Sequence, residues 1–402
     1  MSYSVRLSWP GLRPYVDSST RIRSSSIISG ARAQAKLGAF RAFNSPQSSQ
    51  FGSYSLLRSD TTVNKSLSVE DTREASIMKP VYGFNPVESR DFALQTPPVR
   101  RGFLSLLASS WENANIIKPE LLGIPWLSSF PGCAQSAHHG EIVRSGQNYL
   151  ASLLAGRAEG KQLVNQKVET VASFVVHLFP TGELERMKTL MKCYLLIFMQ
   201  DDSKKVAAFR KLLSEQLDSR YPADSHLILN WVDDYFSTQR PSQCLDHLGR
   251  YLAYRVHDVG ADVIFRSIRF ACEANLSNAQ WNETDRLRAL CSKHFALVND
   301  LYSYRKEVEE SRVHNTPLIN AVKVLETIRG IAPSVAQAAV CDLIWEIEGQ
   351  IETEATAVKQ GGMIVSSAQQ QFIGEIILAM AGNVFYSATC HRYARFHPGS
   401  RL

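Results

Sequence analysis

The chain has 402 residues, 45% of them hydrophobic and 20% charged, which excludes a polar chain without a core and allows one large domain or two smaller ones. The formal charge of +6 sits in the first 59 residues, where eight basic side chains face one acid, Asp17; taking these from totals of 44 and 38 leaves 36 basic and 37 acidic residues, a body of net charge −1. A nucleic-acid binder would keep its positive charge on the folded body, so no nucleic-acid partner is expected.

Residues 1–101 read as an N-terminal extension, largely disordered. Fifteen serines fall in the first 59 positions, acids are scarce and no periodicity is sustained. An organellar transit peptide shares this composition, so the expected address is cytoplasmic with an organellar one as the alternative. Residues 102–402 are expected to form one all-α domain. Pro119–Gly132 reads as an irregular loop. Apolar residues then recur at three and four in Gly140–Arg157, Val171–Pro180, Gly182–Gln200, Val206–Arg220 and His226–Ser237. The same spacing continues in Leu245–Cys272, Thr284–Glu310 and Phe372–Phe396. No strand alternation of convincing length and no internal repeat stand out. The apolar faces are too broad for surface helices, which predicts helices buried around a central apolar cavity. The seven cysteines form no CxxC and read as reduced thiols. Tyr194–Met199 is too short to cross a bilayer and Glu375–Tyr386 is interrupted by Glu375 and Asn383, so no membrane span is expected.

Four segments carry chemistry. In "VNDLYSYRKE" (Val298–Glu307), Asn299, Ser303 and Glu307 fall within about 80° of a helix circumference. An amide, a hydroxyl and a carboxylate are hard oxygen donors suited to Mg²⁺, which shares its shell with water and phosphate; a solvated helix face has the same spacing. In "FMQDDSKK" (Phe198–Lys205), Asp201 and Asp202 end an apolar helix, either as a polar helix end or as carboxylates at the mouth of a dry cavity. Asp233–Asp234 is a weaker rival pair. In "YLAYRVHDVGAD" (Tyr251–Asp262), Arg255 stands in an apolar helix that Gly260 breaks; a buried arginine needs a phosphate or a structural carboxylate. Arg392 and Tyr393 end the last apolar helix. The pair His138–His139 has no second pair at ligand spacing.

In this order the segments resemble the class I terpene synthases, specifically fungal trichodiene-synthase-like sesquiterpene cyclases, over about residues 180–395. The matching elements are "DDSKK" for the Asp-rich motif, Arg255 for the diphosphate sensor, "NDLYSYRKE" for the NDxxSxxxE motif and "RY" at 392–393. The resemblance implies a class I helical bundle and an enzyme that ionises farnesyl diphosphate and cyclises the carbocation. It makes Asp201, Asp202, Asn299, Ser303 and Glu307 ligands of Mg²⁺, three ions in two sites. Arg255, Lys306, Arg392 and Tyr393 would bind the diphosphate. Asp258 would link Arg255 to Val259, whose carbonyl would polarise the breaking bond. Tyr194, Phe198, Phe295, Tyr302 and Tyr386 are candidate cavity aromatics. Two departures stand out: Lys205 replaces the third acid of the Asp-rich motif, and the stretch from Asp201 to Asn299 is shorter than the family's. An inactive cyclase homologue, a helical interaction protein and a chain-lengthening prenyltransferase are the alternatives, and a monomer or homodimer is expected.

Overall fold

The computed structural model describes residues 77–88, 95–103, 111, 113–153, 161–198, 203–222, 224, 228–233, 246–360 and 366–402. The expectations for residues before 77, for Asp201 and Asp202 and for Asp234 lie outside these. Helices α1 (His139–Leu153), α2 (Lys161–Leu178), α3 (Leu184–Phe198) and α4 (Ser203–Arg220) come first. They are followed by α5 (Leu248–Asp258), α6 (Ala261–Ala271), α7 (Asn278–Glu283), α8 (Asp285–His314) and α9 (Ala321–Arg329). The last are α10 (Pro333–Gln360), α11 (Ser367–Thr389) and α12 (His391–Ala394). The fold is all-α, as the apolar spacing predicts.

Three features depart from the sequence expectation. Two four-residue strands, β1 (Ala114–Ile117) and β2 (Cys133–Ser136), pair antiparallel with Ala114 opposite Ser136. β2 is buried throughout against α2 and α11, so it has no polar face to alternate. Helices α9 and α10 occupy a stretch where no helix was expected, although Gly330 in the left-handed region and Pro333 are its stop and start signals. Packing also extends upstream of the expected boundary at 101/102: Phe84 and Val87 are buried in the core.

The segment 77–88 lies along the C-terminal residues. Gly83 N–H donates to the Ser400 carbonyl at 2.8 Å and Leu402 N–H to the Val81 carbonyl at 3.1 Å. Phe84 stacks on His397 at 4.1 Å and meets Tyr302 edge-on. This explains why Tyr302, a candidate cavity aromatic, does not line the cavity: its ring faces the strap instead.

Helix α8 is the spine, packing against α5, α6, α9, α10 and α11. It begins after Thr284, with Asp285 in its first turn favouring the positive helix end, and stops at Asn315 in the left-handed region. Helix α11 opens with a capping box between Ser366 and Gln369. It is long and apolar enough to cross a membrane by length and composition, and its apolar window is wholly buried in the bundle. Gly382 is where α11 touches α2: a Cβ there would collide with the His177 carbonyl. Six cysteines of the described residues are buried free thiols, and Cys244 lies outside them.

Burial of Glu375 on α11, beside Thr181 and Cys272, pushes its carboxyl up to about 7 from 4.5. Below pH 4.5 the acid is neutral in both folded and unfolded chains. As pH rises from about 4.5 to 7 only the unfolded chain ionises, so this group removes stability, on the order of 3 kcal/mol when complete. Urea denaturation across this window should therefore show Glu375→Gln losing less stability than the parent. Gly382→Ala should lower unfolding stability by about 1–3 kcal/mol in the same assay.

Candidate active site

The site begins at the junction of α5 and α8. Arg255 is 7% exposed, and its guanidinium is held on every edge: Nε donates to Asp300 Oδ1 at 2.8 Å, Nη1 to Asp258 Oδ2 at 2.5 Å and Nη2 to Asn299 Oδ1 at 2.7 Å. Asp300 is fully buried and also accepts from the Tyr251 hydroxyl and, at 3.0 Å, from the Ala321 backbone N–H. Burial lifts the Asp300 carboxyl to about 6 while Arg255 pulls it down, so it remains an anion at neutral pH. The buried arginine therefore has structural carboxylate partners and also faces a cavity.

Helix α5 stops here because Gly260 adopts φ 76°. Asp258, Val259 and Gly260 are thereby turned onto the cavity wall. Asp258 pairs with Arg255 and immediately precedes Val259 in the chain.

On α8, Ser303 Oγ donates to Glu307 Oε1 at 2.8 Å, and Asn299 Nδ2 donates to the Tyr393 hydroxyl at 2.9 Å. The ligand face is thus bound to α12. Asn299 and Glu307 line the cavity, whereas Ser303 is 1% exposed. Asn320, the N-cap of α9, donates from Nδ2 to Glu307 Oε2 at 3.0 Å and to the Asp300 carbonyl at 2.8 Å. Lys306 pairs with Glu310 at 2.5 Å; burial, with Arg392 nearby, lowers its ammonium to about 8. Two close cations at a cavity mouth, beside Arg255 and the Tyr393 hydroxyl, form an anion-binding arrangement.

The cavity measures about 240 Å³. Its lining includes the charged and polar side chains Arg255, Lys306, Glu307, Glu310, Arg392 and Tyr393 and the apolar side chains Phe174, Tyr194, Phe198, Ile264, Phe295 and Tyr386. Asn299, Ser303 and Glu307 fit a Mg²⁺-type cation in donor chemistry. All three donors are hard oxygens, the Asn299 carbonyl keeps a lone pair beyond Arg255, and the Ser303 proton is directed to Glu307. Among the described residues no three His, Cys, Asp or Glu side chains gather as an alternative metal set. The rival Asp233 is held by Arg210 at 2.5 and 3.0 Å, an exposed ion pair. His138 reaches Asn113 Oδ1 at 3.3 Å.

Sequence reasoning missed Asp300, Asn320, Glu310 and Phe174. Asp300 adjoins Asn299 but points about 100° away, toward α5, and only the fold shows that direction. Asn320 precedes an apolar run, an N-cap signal that could have located the helix start but not its reach to Glu307. Asp300→Ala leaves Arg255 without its most buried partner. Chemical denaturation should show a loss of about 3–5 kcal/mol.

The family described as terpene synthase family 2, C-terminal metal binding, matches residues 225–350. The terpene cyclase aneC of Aspergillus aculeatus is 24% identical over 329 residues, 71% of this chain and 74% of that protein. Aristolochene synthase of Penicillium roqueforti is 33% identical over 162 residues, 39% of this chain and 46% of its own. The crystal structure of aristolochene synthase from Penicillium roqueforti aligns with a TM-score of 0.53 at 18% identity, covering 63% of this chain and 96% of that one. Germacradien-4-ol synthase from Streptomyces citricolor aligns with a TM-score of 0.51 at 14% identity, covering 63% and 95%. These likenesses give the chain the fold of the class I terpene synthases and, over residues 225–350, similarity to their metal-binding C-terminal family.

Proposed function

We propose that the chain is a Mg²⁺-dependent sesquiterpene cyclase that ionises farnesyl diphosphate, cyclises the allylic cation and releases diphosphate. The observation that carries this reading is a cavity lined both by cationic side chains beside the oxygen donors of α8 and by a cluster of aromatic rings. The farnesyl chain length follows the resemblance to sesquiterpene cyclases.

Asn299, Ser303 and Glu307 would hold Mg²⁺ on one side and Asp201 with Asp202 on the other, the ions neutralising diphosphate charge as it departs. Arg255, Lys306, Arg392 and the Tyr393 hydroxyl orient the diphosphate and stabilise the leaving anion by electrostatic preorganisation. The end of α5 at Val259 presents the negative end of a helix dipole to the developing cation. Phe174, Phe198 and Phe295 exclude water and offer ring faces, each worth about 0.5–2 kcal/mol to a nearby cation.

Purified protein with Mg²⁺ and farnesyl diphosphate should give a cyclised volatile product by gas chromatography, and chelation should abolish it. Asn299→Ala, Asp201→Asn and Arg255→Gln should each lower kcat/KM by about 10²–10³. No product from ten-, fifteen- or twenty-carbon diphosphates would leave an inactive homologue as the reading.

A further inference from the structure

Three polar atoms of α11 play no part in binding diphosphate. Asn383 Nδ2, Tyr386 OH and Ser387 Oγ have no nitrogen or oxygen partner among the described residues. They stand at i, i+3 and i+4, hence on one helix face. The three residues are 6%, 3% and 0% exposed, and Asn383 and Tyr386 line the cavity. The Cys390 thiol lies near the Tyr386 hydroxyl, but sulfur is a weak partner. Tyr194 provides the contrast: its hydroxyl meets Ser267 Oγ at 3.1 Å, so it offers the cavity only a ring.

Buried polar groups without partners are costly, and three within one turn beside a cavity meet the requirement of a bound water for two to four polar partners. We propose that this face of α11 holds a water molecule, and that this water ends the reaction by adding to the carbocation, so that the product is a terpene alcohol. The inference rests on the cyclase reading. Asn383 donates Nδ2–H to the water oxygen, the water donates its two protons to the Tyr386 and Ser387 oxygens, and one lone pair remains for the cavity. That pair forms the new C–O bond to the cationic carbon. The resulting oxonium loses a proton to the diphosphate freed at ionisation, which balances atoms and charge. Tyr386 lies within electrostatic reach of Arg392 and Tyr393, the residues proposed to hold the diphosphate, so donor and acceptor of this proton are near each other.

The test is turnover of farnesyl diphosphate by the full chain with Mg²⁺ in H₂¹⁸O, read by gas chromatography–mass spectrometry. The expected main product is an alcohol carrying ¹⁸O. In Asn383→Leu and Tyr386→Phe the alcohol-to-hydrocarbon ratio should fall about tenfold, the scale of one lost hydrogen bond. Ser387→Ala should move it the same way, with thermal melts showing that each variant is folded. Hydrocarbon alone from the parent chain, an alcohol without the label, or a ratio unmoved in folded variants would overturn the water site and leave the cyclase reading standing. A Tyr386→Phe variant that raises KM with the ratio unmoved would assign that hydroxyl to diphosphate and also overturn the proposal. No product of any kind would overturn both readings.

Discussion

The buried pair of Arg255 and Asp300 is the interaction on which the rest of the site depends. Removing two charges from water is expensive, and such a pair adds little net stability unless its remaining hydrogen-bonding capacity is used. Here it is used. Asp300 takes donors from α5, from its own partner arginine and from the start of α9, while the other edges of Arg255 hold Asp258 and Asn299. One ion pair thereby sets the position of three helices, and the cavity mouth is where they meet. Its value is chiefly geometric: a hydrophobic pair could hold α5 against α8, but it could not aim a guanidinium edge at the ligand face.

Around this junction the site side chains satisfy one another. Ser303 is bound to Glu307, Lys306 to Glu310 and Asn299 to both Arg255 and Tyr393. On the proposed reading, an incoming metal-bound anion would exchange these contacts for its own instead of ordering loose side chains, which would keep the entropic cost of binding low. The depth of the cavity follows a different logic. Tyr194, Phe198 and Tyr386 each pack against Phe174 at centroid distances of 4.9–5.5 Å, so the wall is an aromatic surface built around that one ring. A rigid wall selects one folded shape of a flexible chain.

Much of this was legible in the sequence. The three-and-four spacing named the helices that build the cavity, because an apolar face must be buried somewhere. The spacing of Asn299, Ser303 and Glu307 placed three donors on one face, because helix geometry is fixed by the backbone alone. Arg255 was legible as a charge in an apolar helix, and Gly260 as its stop. What stayed hidden were properties of pairs distant in the chain. Asp300 acquires its role from α5, Asn320 from a turn that sets it beside Glu307, and Tyr302 faces a strap that composition assigned to the tail. The β1–β2 ribbon was hidden for another reason: β2 is buried on both faces, and β1, though alternately buried, is only four residues long, too short for a periodic signature.

The strap formed by residues 77–88 has a further consequence. It pairs with residues 400–402, just past α12 and its Arg392–Tyr393 pair. The stretch after Arg392 and Tyr393 is thereby tied to a segment far upstream in the chain. Setting α12 in place therefore closes a long loop, a contact of high sequence separation whose closure entropy is met late in folding, after the local helix pairs have formed.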